Sequence, residues 1–320
     1  MPEEFEFEEM SKKQSKLSVE IFGPSGSGKT SALIKLAMGI RDKLYPGKLL
    51  KDICLFVDTE KGSANKAVGR SVGGETLESM LYYMFKPPYD IVKLMNLIDY
   101  ALSKGIKIMI IDSYTAFWSG QNGILDRAAE IEVELGDKKK MYGAWSEKEI
   151  VAKKNILKNI IANDSMHMLL GMRAKTEYAM ELNSRGKTVP KAVGLKEDMQ
   201  GDVRYETDVV LSLDLETHEC KVVKDRIGYN EIKMVQENPE APITIADGAL
   251  LAQIVSEGIS PEEVQKRKIE GMIKFILNEK SHKSSKVTEL EGALKQELTP
   301  ALLAKLPLEK LVKFTEYIKG

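Results

Sequence analysis

The sequence predicts an α/β protein: a mostly parallel sheet with helices on both faces, followed by a small helical domain. Three observations carry this. Strand-like and helix-like segments alternate through the first two hundred residues. Two of the strands, Ile53–Val57 and Lys107–Ile111, are near-continuous apolar runs, as expected for strands buried on both faces. From Ser260 onward the alternation gives way to helical periodicity alone.

Taken in order, residues 1–16 form an acidic segment expected to be a mobile tail. Leu17–Phe22 is a short strand, and Thr30–Leu44 a helix with apolar Leu33, Ile34, Leu36, Ala37 and Ile40 on its inner face. Residues 59–74, rich in Gly, Ser, Ala and Asn, read as loop, and Tyr89–Ser103 as a helix entered after Pro87-Pro88. After Lys107–Ile111, residues 114–143 are irregular or helical, and Trp145–Ala162 is a long helix. Met166–Met172 is a strand, 173–205 a long polar loop, and Asp208–Leu213 with Glu219–Val223 a hairpin. Ser260-Pro261-Glu262-Glu263 starts a helix, with Pro at the first helical position and acids in the first turn. The expected division is a tail over 1–16, a core over 17–257 and a helical domain over 258–320. That division agrees with the size at which one hydrophobic core stops growing, ~250–300 residues.

Composition narrows the function classes. The 320 residues are 43% hydrophobic and 30% charged, with net charge −1 and a pI near 6.4. A constitutively basic nucleic-acid binder is thereby disfavoured, while a local basic groove remains open. Two cysteines, Cys54 and Cys220, provide neither a disulfide scaffold nor zinc spacing. His167, His218 and His282 are scattered and read as structural or exposed positions. No run approaches the ~18 apolar residues of a membrane span, and the acidic start is unlike a secretory signal. A cytoplasmic protein with no membrane partner is expected.

One string carries specific chemistry. Gly23-Pro24-Ser25-Gly26-Ser27-Gly28-Lys29-Thr30 matches G-x-x-x-x-G-K-[ST], between an apolar strand and a helix. Backbone N–H groups that converge on a polyanion need conformations glycine reaches easily, and the helix N-terminus adds its dipole. The loop and the following Ser31 are therefore expected to bind the phosphates of ATP or a related nucleotide. Lys29 would reach the β- and γ-phosphates, and Thr30 would ligate Mg²⁺. Asp112 ends the apolar strand Ile108–Ile111 at the sheet edge where open α/β folds bind ligands, and is the second metal candidate. Glu60, directly after the second buried strand, is placed to orient the attacking water; Asp58 is a rival. Ser113, rather than an acid, follows Asp112, which disfavours a base beside the metal ligand.

The phosphate loop, Val57-Asp58-Thr59-Glu60, Ile110-Ile111-Asp112-Ser113 and Lys224-Asp225-Arg226 together resemble the RecA-fold ATPases over roughly residues 17–230. The likeness extends to the phage-encoded AAA-type branch of that fold, some members of which support single-strand annealing and recombination. The resemblance implies a catalytic glutamate at Glu60 and a polar sensor after the next strand, here Arg173 in place of the usual Gln. It also implies a Lys-x-Arg finger, Lys224 and Arg226, that reaches a neighbouring subunit's γ-phosphate. A finger acting in trans requires a homo-oligomer, either a ring or a filament.

The resemblance places DNA-binding loops at 113–143 and 173–205. The second holds seven basic residues against five acidic ones, with Tyr178 and Tyr205 as candidate stacking platforms. The first holds Tyr114, Phe117, Trp118, Tyr142 and Trp145 around Lys138-Lys139-Lys140. The expectation is a Mg²⁺-dependent ATPase that binds single-stranded DNA in phage recombination, annealing or replication, in the host cytosol. The alternative is a nucleotide-gated module that hydrolyses slowly and recruits protein partners.

Overall fold

A computed structural model describes residues 11–60, 62, 68–72, 75–77, 79–136, 143–182, 188–233, 240–258, 261–282 and 284–319. The chain divides into two compact units. One spans Ser15–Ser256; the other joins Glu257–Gly320 with the segment before Ser15. Of the expected acidic tail, residues 1–10 lie outside the described residues. Lys12 forms an ion pair with Glu257 (2.8 Å) inside the smaller unit.

The larger unit is built on a sheet with eight strands among the described residues. Its strands are β1 (Ser18–Gly23), β2 (Cys54–Asp58), β5 (Leu81–Met84), β6 (Ile108–Asp112), β7 (His167–Leu182), β8 (Thr188–Glu197), β9 (Val209–Leu213) and β10 (Cys220–Asp225). A separate two-stranded ribbon pairs β3 (Ser71–Val72), inside the segment read as loop, with β4 (Glu75–Thr76), just after it. The main order is β10-β9-β1-β7-β6-β2-β5, parallel throughout except for β10, and β8 pairs antiparallel with the far half of β7.

The period-two pattern of the central strands explains why both faces are covered. Val19, Ile21, Phe56, Ile108, Ile110, Leu169 and Leu211 face one core, under α1 (Lys29–Leu44) and α9 (Ile245–Ser256). Phe22, Val57, Met109, Ile111, Leu170 and Val210 face the other, under α3 (Ile91–Ser103), α5 (Ile124–Leu135) and α6 (Lys148–Ile161). α1 and α9 cross with no room for side chains at the contact. A Cβ on Gly39 would stand 2.0 Å from the Ile245 carbonyl, and one on Gly248 2.4 Å from that of Leu36. α3 starts at Asp90, whose carboxylate accepts the Val92 N–H. Shorter helices complete the unit: α2 (Leu50–Ile53), α4 (Ala116–Ser119), α7 (Val203–Glu206) and α8 (Tyr229–Lys233).

The smaller unit contains α10 (Pro261–Ser281), α11 (Ser285–Leu294), α12 (Pro300–Leu303) and α13 (Leu308–Lys319), around Ile276, Val287, Leu303, Leu311 and Phe314. No described helix is long and apolar enough to cross a membrane.

Two sequence expectations are corrected. Residues 173–205 are not a long polar loop: β7 runs on to Leu182 and returns through β8 as a hairpin, with a bulge at Glu177/Tyr178. Charged residues are scattered along both strands (Lys175, Glu177, Glu181, Lys191, Lys196, Glu197), so the sequence carries no clear apolar alternation there. Three aromatics of the first expected DNA loop are packed into the core and not available to bases. Tyr114, Phe117 and Trp118 are buried in the second core, and the Tyr114 hydroxyl donates to the Leu157 carbonyl (2.7 Å). Trp145 is half-buried and packs against Trp118. Lys138–Lys140 and Tyr142 lie outside the described residues.

Candidate active site

The parallel strands end together at one edge of the sheet, and the phosphate loop leaves that edge from β1. Gly26 and Gly28 both have φ near +90°, the left-handed region that side chains resist, so the glycines set the turn into α1. The Lys29 ammonium donates to the Gly23 and Pro24 carbonyls (2.9 Å each) and so folds back over the loop. Burial lowers its pKa below the ordinary value, an effect opposed by Asp112 and Glu60.

Asp112 arrives on β6, separated from β1 only by β7. The Thr30 hydroxyl donates to Asp112 Oδ2 at 2.5 Å, while Oδ1 is buried without a hydrogen-bond partner. Burial pushes the Asp112 carboxyl up to about 6, with the Thr30 hydrogen bond opposing the rise. A hydroxyl beside an unpaired carboxylate oxygen fits a hard divalent cation. Among the described residues no cluster of three or more His, Cys, Asp or Glu side chains could hold a metal alone. The remaining oxygens would come from phosphate and water, as Mg²⁺ prefers. Gly171 on β7 makes room for this carboxylate, since a Cβ there would lie 2.5 Å from Asp112 Oδ1.

Glu60 follows β2, the strand next to β6. Its Oε1 accepts from Arg173 Nε at 3.0 Å. Arg173 stands on β7 two residues beyond Gly171, the partner of Asp112, and opposite Gly23 of β1; its N–H donates to Thr115 Oγ1 (2.9 Å). Asp58, the rival to Glu60, is fully buried, and both its oxygens accept hydrogen bonds, from the Glu60 N–H and the Tyr82 hydroxyl.

Lys29, Thr30, Glu60 and Arg173 share one cavity of about 1060 Å³, enough for a nucleoside triphosphate; Asp112 is tied to it through the Thr30 hydroxyl and is not part of its lining. Its lining includes Gly23, Ser25, Gly26, Gly28, Lys29, Thr30, Ser31, Thr59, Glu60 and Arg173. Pro24 and Ser27 complete the loop, with the Ser27 hydroxyl buried beneath it. Sequence reasoning missed further lining residues: Arg70, Ser71 and Val72 at the β3 ribbon, and Tyr89 before α3. Arg70 sits in a Gly- and Ser-rich stretch with no periodicity to mark it.

The AAA domain family matches residues 15–240. The chain belongs to that family. Membership supports a P-loop AAA-type ATPase that uses a nucleotide and, as is typical of the family, Mg²⁺. No curated protein matches the chain.

Within this AAA domain, the Lys-x-Arg pair stands apart from the cavity. Lys224 is level with Glu20 across Val210, three residues below the start of the phosphate loop. Its amine donates to the carbonyls of Arg204, Tyr205 and Thr207, and Arg226 donates to that of Tyr205. Neither side chain lines the nucleotide cavity of its own chain. Cations at the hairpin root are paired as well: Lys175 with Asp198, Lys196 with Glu177 and Arg204 with Glu197. Tyr205 is 69% exposed. Arg185, Lys187 and the side chains of Tyr178 and Lys191 lie outside the description.

Proposed function

We propose that the protein hydrolyses ATP in the presence of Mg²⁺. The observation that carries this reading is the convergence of Lys29, Thr30, Glu60 and Arg173 on one cavity, with Asp112 held by the Thr30 hydroxyl and Arg173 by Glu60. Lys29 and the loop amides hold the β- and γ-phosphates. Thr30 and Asp112 hold the cation, which when bound neutralises phosphate charge. Glu60 orients the attacking water, and Arg173 shifts from Glu60 toward the γ-phosphate as charge develops there. An exposed ion pair of this kind is held by ~1 kcal/mol or less, so the exchange is inexpensive. Phosphate release from ATP without an added acceptor, lost on chelating Mg²⁺, tests this. Transfer only to an added acceptor would mark a kinase instead.

Lys224 and Arg226 complete the site of a neighbouring chain in a ring or filament. Their separation from the cavity of their own chain supports action in trans. Mixing Lys29→Ala with Arg226→Ala subunits tests it. Each variant alone is inactive, and the mixture recovers activity, because some interfaces pair an intact loop with an intact finger. No recovery, or a monomer with and without ATP, removes the trans assignment.

The task of the ATPase is DNA recombination, annealing or replication, with the β7–β8 hairpin and Tyr205 meeting a single strand. Exposed Tyr205 supports this, and the pairing of the root cations with acids favours the second reading. In that reading the nucleotide gates a protein interaction and no DNA is bound. Stimulation of hydrolysis by single-stranded DNA with salt-sensitive binding selects the first, and absence of both selects the second.

A further inference from the structure

The segment that carries Glu60 is unusually completely tied down. The Asp58 carbonyl accepts the Phe85 N–H (2.8 Å), and the Thr59 N–H donates to the Asp112 carbonyl (2.9 Å). The Thr59 carbonyl accepts the Tyr89 hydroxyl (3.2 Å). Thr59 Oγ1 donates to the Ser113 carbonyl and accepts the Ser113 N–H. The Glu60 N–H donates to Asp58 Oδ1 at 2.5 Å, and the Tyr82 hydroxyl on β5 donates to Oδ2 at 3.2 Å. Immediately beyond, the chain turns at Gly62 (φ +84°), where a Cβ would lie 3.9 Å from the Tyr82 hydroxyl.

Asp58 is an odd residue to bury here. Taking a carboxylate out of water is costly unless the charge is matched by donors. Among the contacts described, the donors are an amide and a phenol, and no ion pair is formed. The arrangement gains direction: a charge-assisted bond to the Glu60 amide is short and angularly demanding. The Glu60 side chain is partly exposed and its only described partner is Arg173, which is itself half exposed. Its heading toward the cavity is therefore set from the backbone side.

We propose that Asp58 and Tyr82 are positioning residues that act through Glu60, Asp58 by fixing the Glu60 amide and Tyr82 by fixing Asp58. The proposal rests on Glu60 being the water-positioning group. It assigns Asp58 a role distinct from that of a second base, since its oxygens are occupied and it does not line the cavity.

The test compares full-length Asp58→Asn, Tyr82→Phe and Glu60→Gln, each alone and combined in pairs with Glu60→Gln. ATP turnover, ATP affinity and melting temperature are measured for all. Loss of such an outer partner lowers activity by about 10–100-fold. Tyr82→Phe is expected at the low end and Asp58→Asn at the high end, in kcat, with KM, ATP affinity and melting temperature near wild type. In the Glu60→Gln background neither substitution lowers the residual rate further, because both act through the same carboxylate. If Glu60→Gln abolishes turnover while the other two keep wild-type kcat, the proposal fails and the role of Glu60 stands. If Glu60→Gln turns over normally, the role of Glu60 fails and the proposal with it. Losses that add to that of Glu60→Gln, or that follow the melting temperature, overturn the proposal in favour of a structural turn. Should Asp58→Asn not fold, Tyr82→Phe at the half-exposed sheet edge carries the same outcomes.

Discussion

Two regions of the AAA domain bury charge, and they handle it differently. At the carboxyl edge of the sheet, Asp112 keeps one oxygen unpaired beside a large open cavity, while Lys29, Glu60 and Arg173 line it. On the flank below, Glu20 is fully buried on the phosphate-loop strand with neither oxygen hydrogen-bonded. Its surrounding cations are committed elsewhere, Arg204 to Glu197 and Lys224 to backbone carbonyls. Burial pushes the Glu20 carboxyl up to about 8; Glu197 adds to the rise, and Arg204 and Lys224 oppose it. Unpaired charge beside a cavity is a site waiting for a ligand. Unpaired acid in a closed cluster is a burden on stability. Substitutions in the two regions should therefore have opposite consequences.

Glu60 aside, the largest effect is expected from Lys29→Ala at the open edge. ATP affinity and turnover should both collapse, with turnover falling on the order of 10²–10³-fold, as when one preorganised donor is lost. The melting temperature without nucleotide should stay near wild type. Next comes Gly171→Ala, which presses a methyl group onto Asp112 Oδ1. The expected outcome is a loss of about 10–100-fold in the Mg²⁺ dependence of turnover, read from a metal titration.

Glu20→Gln should act in the other direction. The folded pKa lies above the ordinary carboxylate value of 4.5. Below about pH 4.5 both folded and unfolded chains hold the proton and no penalty exists. As pH rises the unfolded chain releases it first, so stability falls until the folded carboxyl also ionises near pH 8. The variant should melt higher than wild type by roughly 4–8 °C at pH 8, the equivalent of about 2 kcal/mol, and gain nothing near pH 4.5. A variant less stable than wild type at pH 8 would show that Glu20 is needed as an anion in that cluster.

The smallest effect belongs to Tyr205→Ala. The ring is exposed, so stability should change by less than about 0.5 kcal/mol. If the hairpin root meets a single strand, affinity should still drop by about fivefold or more, the cost of one stacked base. An unchanged affinity directs attention to a protein partner.

What the sequence made legible follows from locality. Period-two apolar strands, the glycine spacing of Gly23–Thr30 and an acid ending an apolar run are written within a few residues, and the structure carries each. Glu60 was legible as a candidate because it directly follows such a run. The Asp58–Tyr82 pair was not, because its members meet only once β5 pairs with β2. Glu20 looked like any polar residue alternating in a half-exposed strand; only coverage of both sheet faces buries it. The β7–β8 hairpin escaped because charged residues scattered along both its strands hide the period of two. Tyr114, Phe117 and Trp118 were misread because charged neighbours in sequence say little about where a short helix turns its aromatics.

The central claim is that Glu60 directs hydrolysis at the open edge. It is tested most directly by measuring ATP binding and phosphate release together for Glu60→Gln at saturating Mg²⁺. The account predicts wild-type ATP affinity with hydrolysis reduced on the order of 10²–10⁴-fold, the contribution of a positioned general base. Hydrolysis at the wild-type rate, with the same affinity, would contradict it.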